Sequence, residues 1–336
     1  MEPGSDQWLA QHVEDVIDPD RPIIDPHHHL WPADGALPYG LTELHGDTED
    51  GHRIQGTVFV ECGAAYRTDG PDHLRPVGET AFVAEQAERS DQADGAPILG
   101  IVGRADLRLD GLDEVLDAHA EAGRGRFRGI RHALARAPEP DVMRIPGRAP
   151  AGLAQDPAFR AGVVRLGQRG LVYDSWHYHH QIDDFTELAA ATPETTMVLD
   201  HVGTPIGVGR YAGQRDEVFA DWSAAIDRAA TRPNIVVKLG GLAMPDNGFG
   251  WDRRDRPATS EELVAAQARY YHHVIERFGP DRCMFESNFP VDRWSLSYRT
   301  FWNSCKRLAV QYSPAEQDRM FRGTAAEVYG LAVPAD

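Results

Sequence analysis

The sequence predicts an α/β protein built as a (β/α)₈ barrel of the TIM type. Two observations carry that expectation: eight short apolar runs recur along the chain, and longer amphipathic stretches lie between most of them. The candidate strands are IIDPHHH ending at His29, GTVFVEC at Cys62, ILGIVGRADL at Leu107, FRGIRHAL at Leu134, LVYDSWHYH at His179, TTMVLDHVG at Gly203, NIVVKLGG at Gly241 and RCMFESNFPVD at Asp292. Eight such units suit a closed barrel better than an open sheet.

The helices between them carry their own start and stop signals. The stretch from Asp110 has apolar residues at helical spacing and a closing Gly123. The one from Asp156 opens with a capping Asp followed by Pro157 at the first helical position. Thr259 with Glu262, and Ser313 with Glu316, form capping boxes before two further helices, the last running from Ser313 to Gly330. No GxGxxG follows the first strand and no GxxxxGK[ST] occurs, which weakens dinucleotide and P-loop readings. Long segments rich in Pro and Gly follow several strands: Leu30 to Arg53, Ala135 to Gln155 and Leu242 to Pro257. In a barrel such loops carry function.

A chain of 336 residues, 42% of them hydrophobic, can bury a sizeable core as one domain spanning 1–336, with residues 1–20 as an N-terminal extension. Acidic residues outnumber basic ones 52 to 34, for a formal charge of −18. That balance argues against nucleic acid and anionic membrane surfaces as partners, and fits a soluble protein that takes a small molecule. Homo-oligomerisation is compatible with the sequence. Three cysteines without a CxxC pair, and an N-terminus lacking a basic start and an apolar run, suggest a cytoplasmic setting.

The strongest local signal is Asp25-Pro26-His27-His28-His29-Leu30-Trp31. Residues two apart on a strand share a face, so His27 and His29 project together and His28 points away. Two imidazoles at one strand end can grip a divalent metal. Other titratable groups fall at strand ends too: His177 and His179, Asp200-His201, and Glu286-Ser287-Asn288. Catalytic groups of barrel enzymes come from several such ends.

Here the chain resembles the amidohydrolase-related group of the amidohydrolase superfamily, which includes sugar-lactone and pyrone-dicarboxylate lactonases and metal-dependent decarboxylases. The resemblance runs from about Pro22 to Leu331 and rests on DPHHHLW, FRGIRH, LDHVG, VVKLGGL and MFESNFPVD. It implies that His27 and His29 are the metal-binding or substrate-polarising pair and that His201 is the sixth-strand histidine. A fifth-strand histidine is usual in metal-dependent members; HYHH offers His177, His179 or His180. Arg131 lies where lactonase-like members place an arginine for a substrate carboxylate. The expected cofactor is a divalent metal, zinc in the first place, although lactonase-like relatives can work without one.

One departure matters. The family's eighth strand usually ends Ser-Asp, and that Asp binds metal and acts as base; this chain has Ser287-Asn288. An amide cannot accept a proton at neutral pH. Glu286, two residues earlier on the same face, is the candidate replacement as metal ligand or general base, with Asn288 orienting water or the carbonyl. Lys238 is a candidate oxyanion donor, with a salt bridge in the barrel mouth as the plainer alternative. Glu61 is a second unusual strand carboxylate. Trp31, Tyr66, Trp176, Tyr178, Phe249, Trp251 and Trp294 crowd the expected rim and suit a flat or cyclic substrate; loops after the first and seventh strands are expected to close over it. The expected activity is hydrolysis of a cyclic ester or amide, lactonase-like. The rivals are a decarboxylase or other lyase, and a barrel that only binds a ligand.

Overall fold

In the computed structural model, which describes residues 1–332, the eight expected strands are all present: β1 Ile23–His28, β2 Ile54–Val60, β3 Ile98–Gly103, β4 Phe127–Arg131, β5 Val172–Ser175, β6 Met197–Leu199, β7 Ile235–Leu239 and β8 Cys283–Phe285. Each pairs in parallel with its neighbour in chain order. The seam between β8 and β1 closes through His29 N donating to Phe289 O at 2.8 Å and Asn288 N donating to His27 O at 3.0 Å. The architecture is the (β/α)₈ barrel that the strand count predicts.

Alternation along the strands sorts the core into two shells. Ile23, Phe59, Ile101, Ile130, Tyr173, Leu199, Val237 and Phe285 face the helices. Ile24, Val58, Val60, Val102, Val172, Val198, Val236 and Met284 face inward. From the floor, Ala325, Tyr329 and Leu331 of the C-terminal segment pack against that inner layer, so the barrel is filled rather than hollow. β1 breaks the alternation. Asp25 pairs with Thr57 and His28 with Phe59, three residues against two, so one extra residue is accommodated at Pro26. The bulge lets Ile24 and His27, three apart, both point inward.

The helix signals hold where they are local. Asp156 caps the Pro157–Gln168 helix by accepting from Ala158 N and Phe159 N. Thr259 and Glu262 close the box before Ser260–Phe278. The final helix differs from the single run expected from Ser313: Pro314–Asp318 and Thr324–Val328 flank a wider π turn at Arg319–Gly323. Met320 and Phe321 are both fully buried, and the wider turn lets two consecutive large side chains reach the core. The loop after β1 holds a further helix, Leu41–Thr48. Residues 1–20 lie against the barrel: Trp8 is fully buried with its indole N–H on Arg254 O, and Glu14 accepts from Ser260 N and Asn303 Nδ2. No helix among the described residues is long and apolar enough to cross a membrane.

Asp25 fastens the seam. Its buried carboxylate accepts from His27 N at 3.2 Å, Ser287 N at 3.0 Å and Tyr298 OH at 3.0 Å. Asp25→Ala is expected to cost about 2–4 kcal/mol, since it strands buried donors on both sides of the closure. Denaturant titration checks this, and a midpoint equal to wild type would show that the seam does not depend on Asp25.

Candidate active site

Above the apolar inner layer, the next inward positions are ionisable. Arg131 ends β4, Asp174 lies on β5 two beyond Val172, Asp200 follows β6 two beyond Val198, Lys238 lies on β7 two beyond Val236, and Glu286 follows β8 two beyond Met284. Together with His27 they form a charged layer in which no residue is more than 7% exposed. Isolated charges cannot be carried at that depth, so each is paired. Lys238 Nζ lies 2.6 Å from Asp174 Oδ2, 3.1 Å from Asp200 Oδ1 and 3.3 Å from His27 Nδ1. Arg131 donates through Nε to Glu61 Oε1 at 2.8 Å and through Nη2 to the Glu61 carbonyl, and its Nη1 lies 3.3 Å from His27 Nε2. Burial works against the Lys238 charge, but Asp174, Asp200 and Glu286 outweigh it and hold the ammonium above its usual range. Burial likewise pushes Asp200 up, and Lys238, His201 and Arg131 outweigh it, so this carboxylate stays ionised.

Glu286 sits between two histidines. Its Oε1 accepts from His201 N at 3.0 Å and lies 2.7 Å from His201 Nδ1; its Oε2 lies 2.6 Å from His27 Nδ1. The backbone pays locally for this arrangement: His201, Val202 and Thr204 all have positive φ, 55°, 47° and 38°, conformations that β-branched residues in particular avoid. The double contact to Glu286, and the Trp222 indole donating to Val202 O at 2.7 Å, hold the turn in place. The Gly-Gly of VVKLGG has its reason here too. A Cβ on Gly240 would lie 2.1 Å from Glu286 O, and one on Gly241 would lie 2.4 Å from His201 Cγ.

The other expected site residues are distributed around this centre. His29 is buried with its ring 4.9 Å from that of His27, and its Nδ1 lies 2.7 Å from Val60 O, which leaves Nε2 as the free nitrogen. Desolvation is the largest effect on both His27 and His29 and keeps them neutral. His28 faces outward against Phe59. Of the HYHH histidines, His177 has Nδ1 3.0 Å from Ser175 Oγ, His179 accepts from Ile206 N, and His180 is exposed and stacked on Tyr178. Asn288 donates through Nδ2 to Asp292 Oδ1 at 2.9 Å. Burial raises Asp292 to about 7. Trp31 packs in the main core 5.9 Å from His29, while Tyr66 and Trp176 are half-buried. Sequence reasoning missed Asp174 and Asp292, and named Asp200 as a strand-end group without giving it a role. For Asp174 the signal was available, since it stands two residues beyond the inward Val172, as Asp200 does beyond Val198.

The described residues bring three ligand-type side chains together at His27, His201 and Glu286, with candidate atoms all within 4.8 Å of one another. Glu286 Oε2 is buried and, despite its closeness to His27 Nδ1, has no partner in hydrogen-bonding geometry. Two electron-rich atoms this close without a proton in line between them suit a shared cation. Lys238 and Arg131 oppose a dication, but Glu286, Asp200, Asp174 and Glu61 outnumber them in the same shell. The residues therefore fit a divalent ion.

Loops cover the mouth. Asp246, in the loop after β7, accepts Arg144 N at 2.6 Å and Ile145 N at 2.9 Å from the loop after β4, and the Arg144 guanidinium lies 4.4 Å above the Trp294 ring. Arg293 is tied to Gly4 O and Asp6 of the N-terminal segment. The loop after β7, expected to act with the loop after β1, is thus latched to the loop after β4. Asp246→Ala is expected to speed amide hydrogen exchange at Arg144 and Ile145 while the strands stay protected. Unchanged exchange at these two amides would remove the latch.

Comparison with known proteins agrees with the barrel fold. The amidohydrolase family pattern matches residues 24–331. The chain is 32% identical to an L-fucono-1,5-lactonase of Burkholderia multivorans over 328 residues, covering 93% of this chain and 97% of that one. An amidohydrolase crystal structure from Burkholderia multivorans with bound zinc superposes with a TM-score of 0.69 at 28% identity, covering 92% of this chain and 99% of the other. A structure described as a 2-pyrone-4,6-dicarboxylic acid hydrolase from Pseudomonas putida, 18% identical with a TM-score of 0.61 over 93% and 98% of the two chains, shares the fold. With its barrel, its strand-end histidines and a family match spanning nearly the whole chain, this protein belongs to the amidohydrolase family.

Proposed function

We propose that this enzyme opens a cyclic ester by hydrolysis, in the manner of a lactonase. The observation that carries the reading is the Glu286 carboxylate lodged between His27 and His201. A base must be held by a third group in a fixed orientation, and Glu286 does this for His201 through both its backbone N–H and its ring. With Nδ1 engaged, His201 Nε2 takes a proton from water as the oxygen adds to the ester carbonyl. Glu286 stabilises the imidazolium. When the tetrahedral intermediate collapses, His201 returns the proton to the departing ring oxygen, and the product is a hydroxy acid.

The carbonyl oxygen needs a donor, and counting N–H groups selects Arg131 over Lys238. The three Lys238 protons are matched by Asp174, Asp200 and His27. Arg131 has five, of which Glu61 takes two; with His27 Nδ1 the acceptor, the Nε2 of the neutral ring carries the proton and accepts nothing from Arg131. Arg131 therefore retains donors for a developing oxyanion, or for a substrate carboxylate. Lys238 holds His27 and Asp200 in place. A divalent ion, zinc in the first place, would be held by His27, His201 and Glu286 and would supply carbonyl polarisation and an acidified water in place of the histidine base. The half-buried aromatic rings of Tyr66 and Trp176 suit the face of a sugar-like or flat ring. The relative named as an L-fucono-1,5-lactonase makes sugar lactones the first class to assay. A second reading, a lyase acting on an aromatic acid, is favoured by Asn288, an amide tied to Asp292 where a base is expected.

Acid release from a panel of sugar lactones tests the reaction class; carbon dioxide release from aromatic acids with no lactone turnover would replace the first reading by the second. Glu286→Gln keeps the shape and removes the carboxylate charge. It is expected to lower kcat by at least about 10²-fold with the fold intact, and near-normal turnover would exclude Glu286 from the chemistry. For the metal, protein loaded with zinc and then desalted is expected to retain about one equivalent, and His27→Ala far less. Elemental analysis well below one equivalent in wild type, with activity indifferent to chelator, would reject the ion.

A further inference from the structure

The charged layer does not end at the strands. The C-terminal segment enters the barrel from the floor, and after the short Thr324–Val328 helix it places Tyr329 and Leu331 among Ile24, Val58, Val102, Val172, Val198 and Val236. Tyr329 is 1% exposed. Most of it is plug, but its hydroxyl reaches upward and donates to Asp174 Oδ2 at 2.7 Å. The same oxygen receives Lys238 Nζ at 2.6 Å, while Asp174 Oδ1 has no hydrogen-bond partner. Lys238 Nζ also stands 5.5 Å from the Tyr329 ring centroid, within cation–π range.

We infer that Tyr329 is a positioning residue for the active site: through Asp174 it sets where Lys238 stands relative to His27 and Asp200. This rests on the proposed site but not on the identity of its substrate. Two donors sharing one carboxylate oxygen each bind it more weakly than either would alone. The Tyr329 hydroxyl therefore limits how strongly Asp174 draws in the ammonium, which leaves Lys238 within 3.1 Å of Asp200 and 3.3 Å of His27. Burial and the neighbouring Asp174 push the phenol well above its usual range, so it remains a donor. Without the hydroxyl, Asp174 Oδ2 belongs to Lys238 alone, and the ammonium shifts toward β5 and away from the His27 ring. A barrel floor is ordinarily a matter of stability; here one hydroxyl links it to the groups around the proposed reaction centre.

Two variants separate positioning from packing. Tyr329→Phe keeps the ring, its volume and its contact with Lys238, and removes only the hydroxyl. Leu331→Ala weakens the same plug without touching the charged layer. Two measurements are made on full-length protein: steady-state kinetics on any lactone that wild type turns over, and ¹⁵N chemical shifts of the His27 imidazole, assigned by their loss in His27→Gln. Tyr329→Phe is expected to lower kcat about fivefold with little change in KM and to move the His27 ¹⁵N shifts. Leu331→Ala is expected to lower the melting temperature while leaving kcat at 25 °C and the His27 shifts as in wild type. Unmoved His27 shifts in Tyr329→Phe, or a shift of equal size in Leu331→Ala, would overturn the inference. The shifts need no substrate, so a wild type inactive on every lactone would refute the proposed reaction and still leave the role of Tyr329 decided.

Discussion

Ionisable side chains packed one layer above an apolar barrel core are the constraint on which the rest of the structure depends. At that depth a single unpaired charge costs several kcal/mol, a large share of a domain's net stability. The layer is stable only as a set: Lys238 needs Asp174 and Asp200, Arg131 needs Glu61, and Glu286 needs its histidines. Removing one member leaves its partner buried and uncompensated. Side chains held in this way are also pre-organised, because none has room or a solvent shell with which to reorient.

Several local oddities of the chain follow from assembling that set. The bulge at Pro26 brings His27 onto the inner face, where strict alternation from Ile24 would have placed His28. The left-handed turn from His201 to Thr204 carries the imidazole across to Glu286. Gly240 and Gly241 are narrow because the backbone passes within contact distance of both Glu286 and His201. Strain of this kind collects where function needs a geometry that regular secondary structure does not supply, and the surrounding packing holds it.

The loops add a second level of organisation. The latch between Asp246 and the Arg144–Ile145 backbone, and the clasp of Arg293 on the N-terminal segment, place protein over the charged layer from two sides. Covering the mouth removes water from the neighbourhood of the histidines and strengthens every electrostatic interaction beneath.

What the sequence determined by itself was everything encoded within a few residues. The eight strands and the capped starts at Asp156, Thr259 and Ser313 are consequences of period and capping, which neighbours along the chain decide. Glu286 stood out in the same way, as a carboxylate inside a strand motif. What only the tertiary structure decided was who faces whom across the barrel. His201 and Glu286 are 85 residues apart, Arg131 and Glu61 are 70 apart, and Lys238 and Asp174 are 64 apart. No local pattern carries that information. The wide turn at Arg319–Gly323, the choice of Asp292 as partner for Asn288, and the reach of Tyr329 to Asp174 belong to the same class. Each is fixed by closure of the barrel, which turns positions distant in the chain into neighbours and requires every buried charge among them to find a partner.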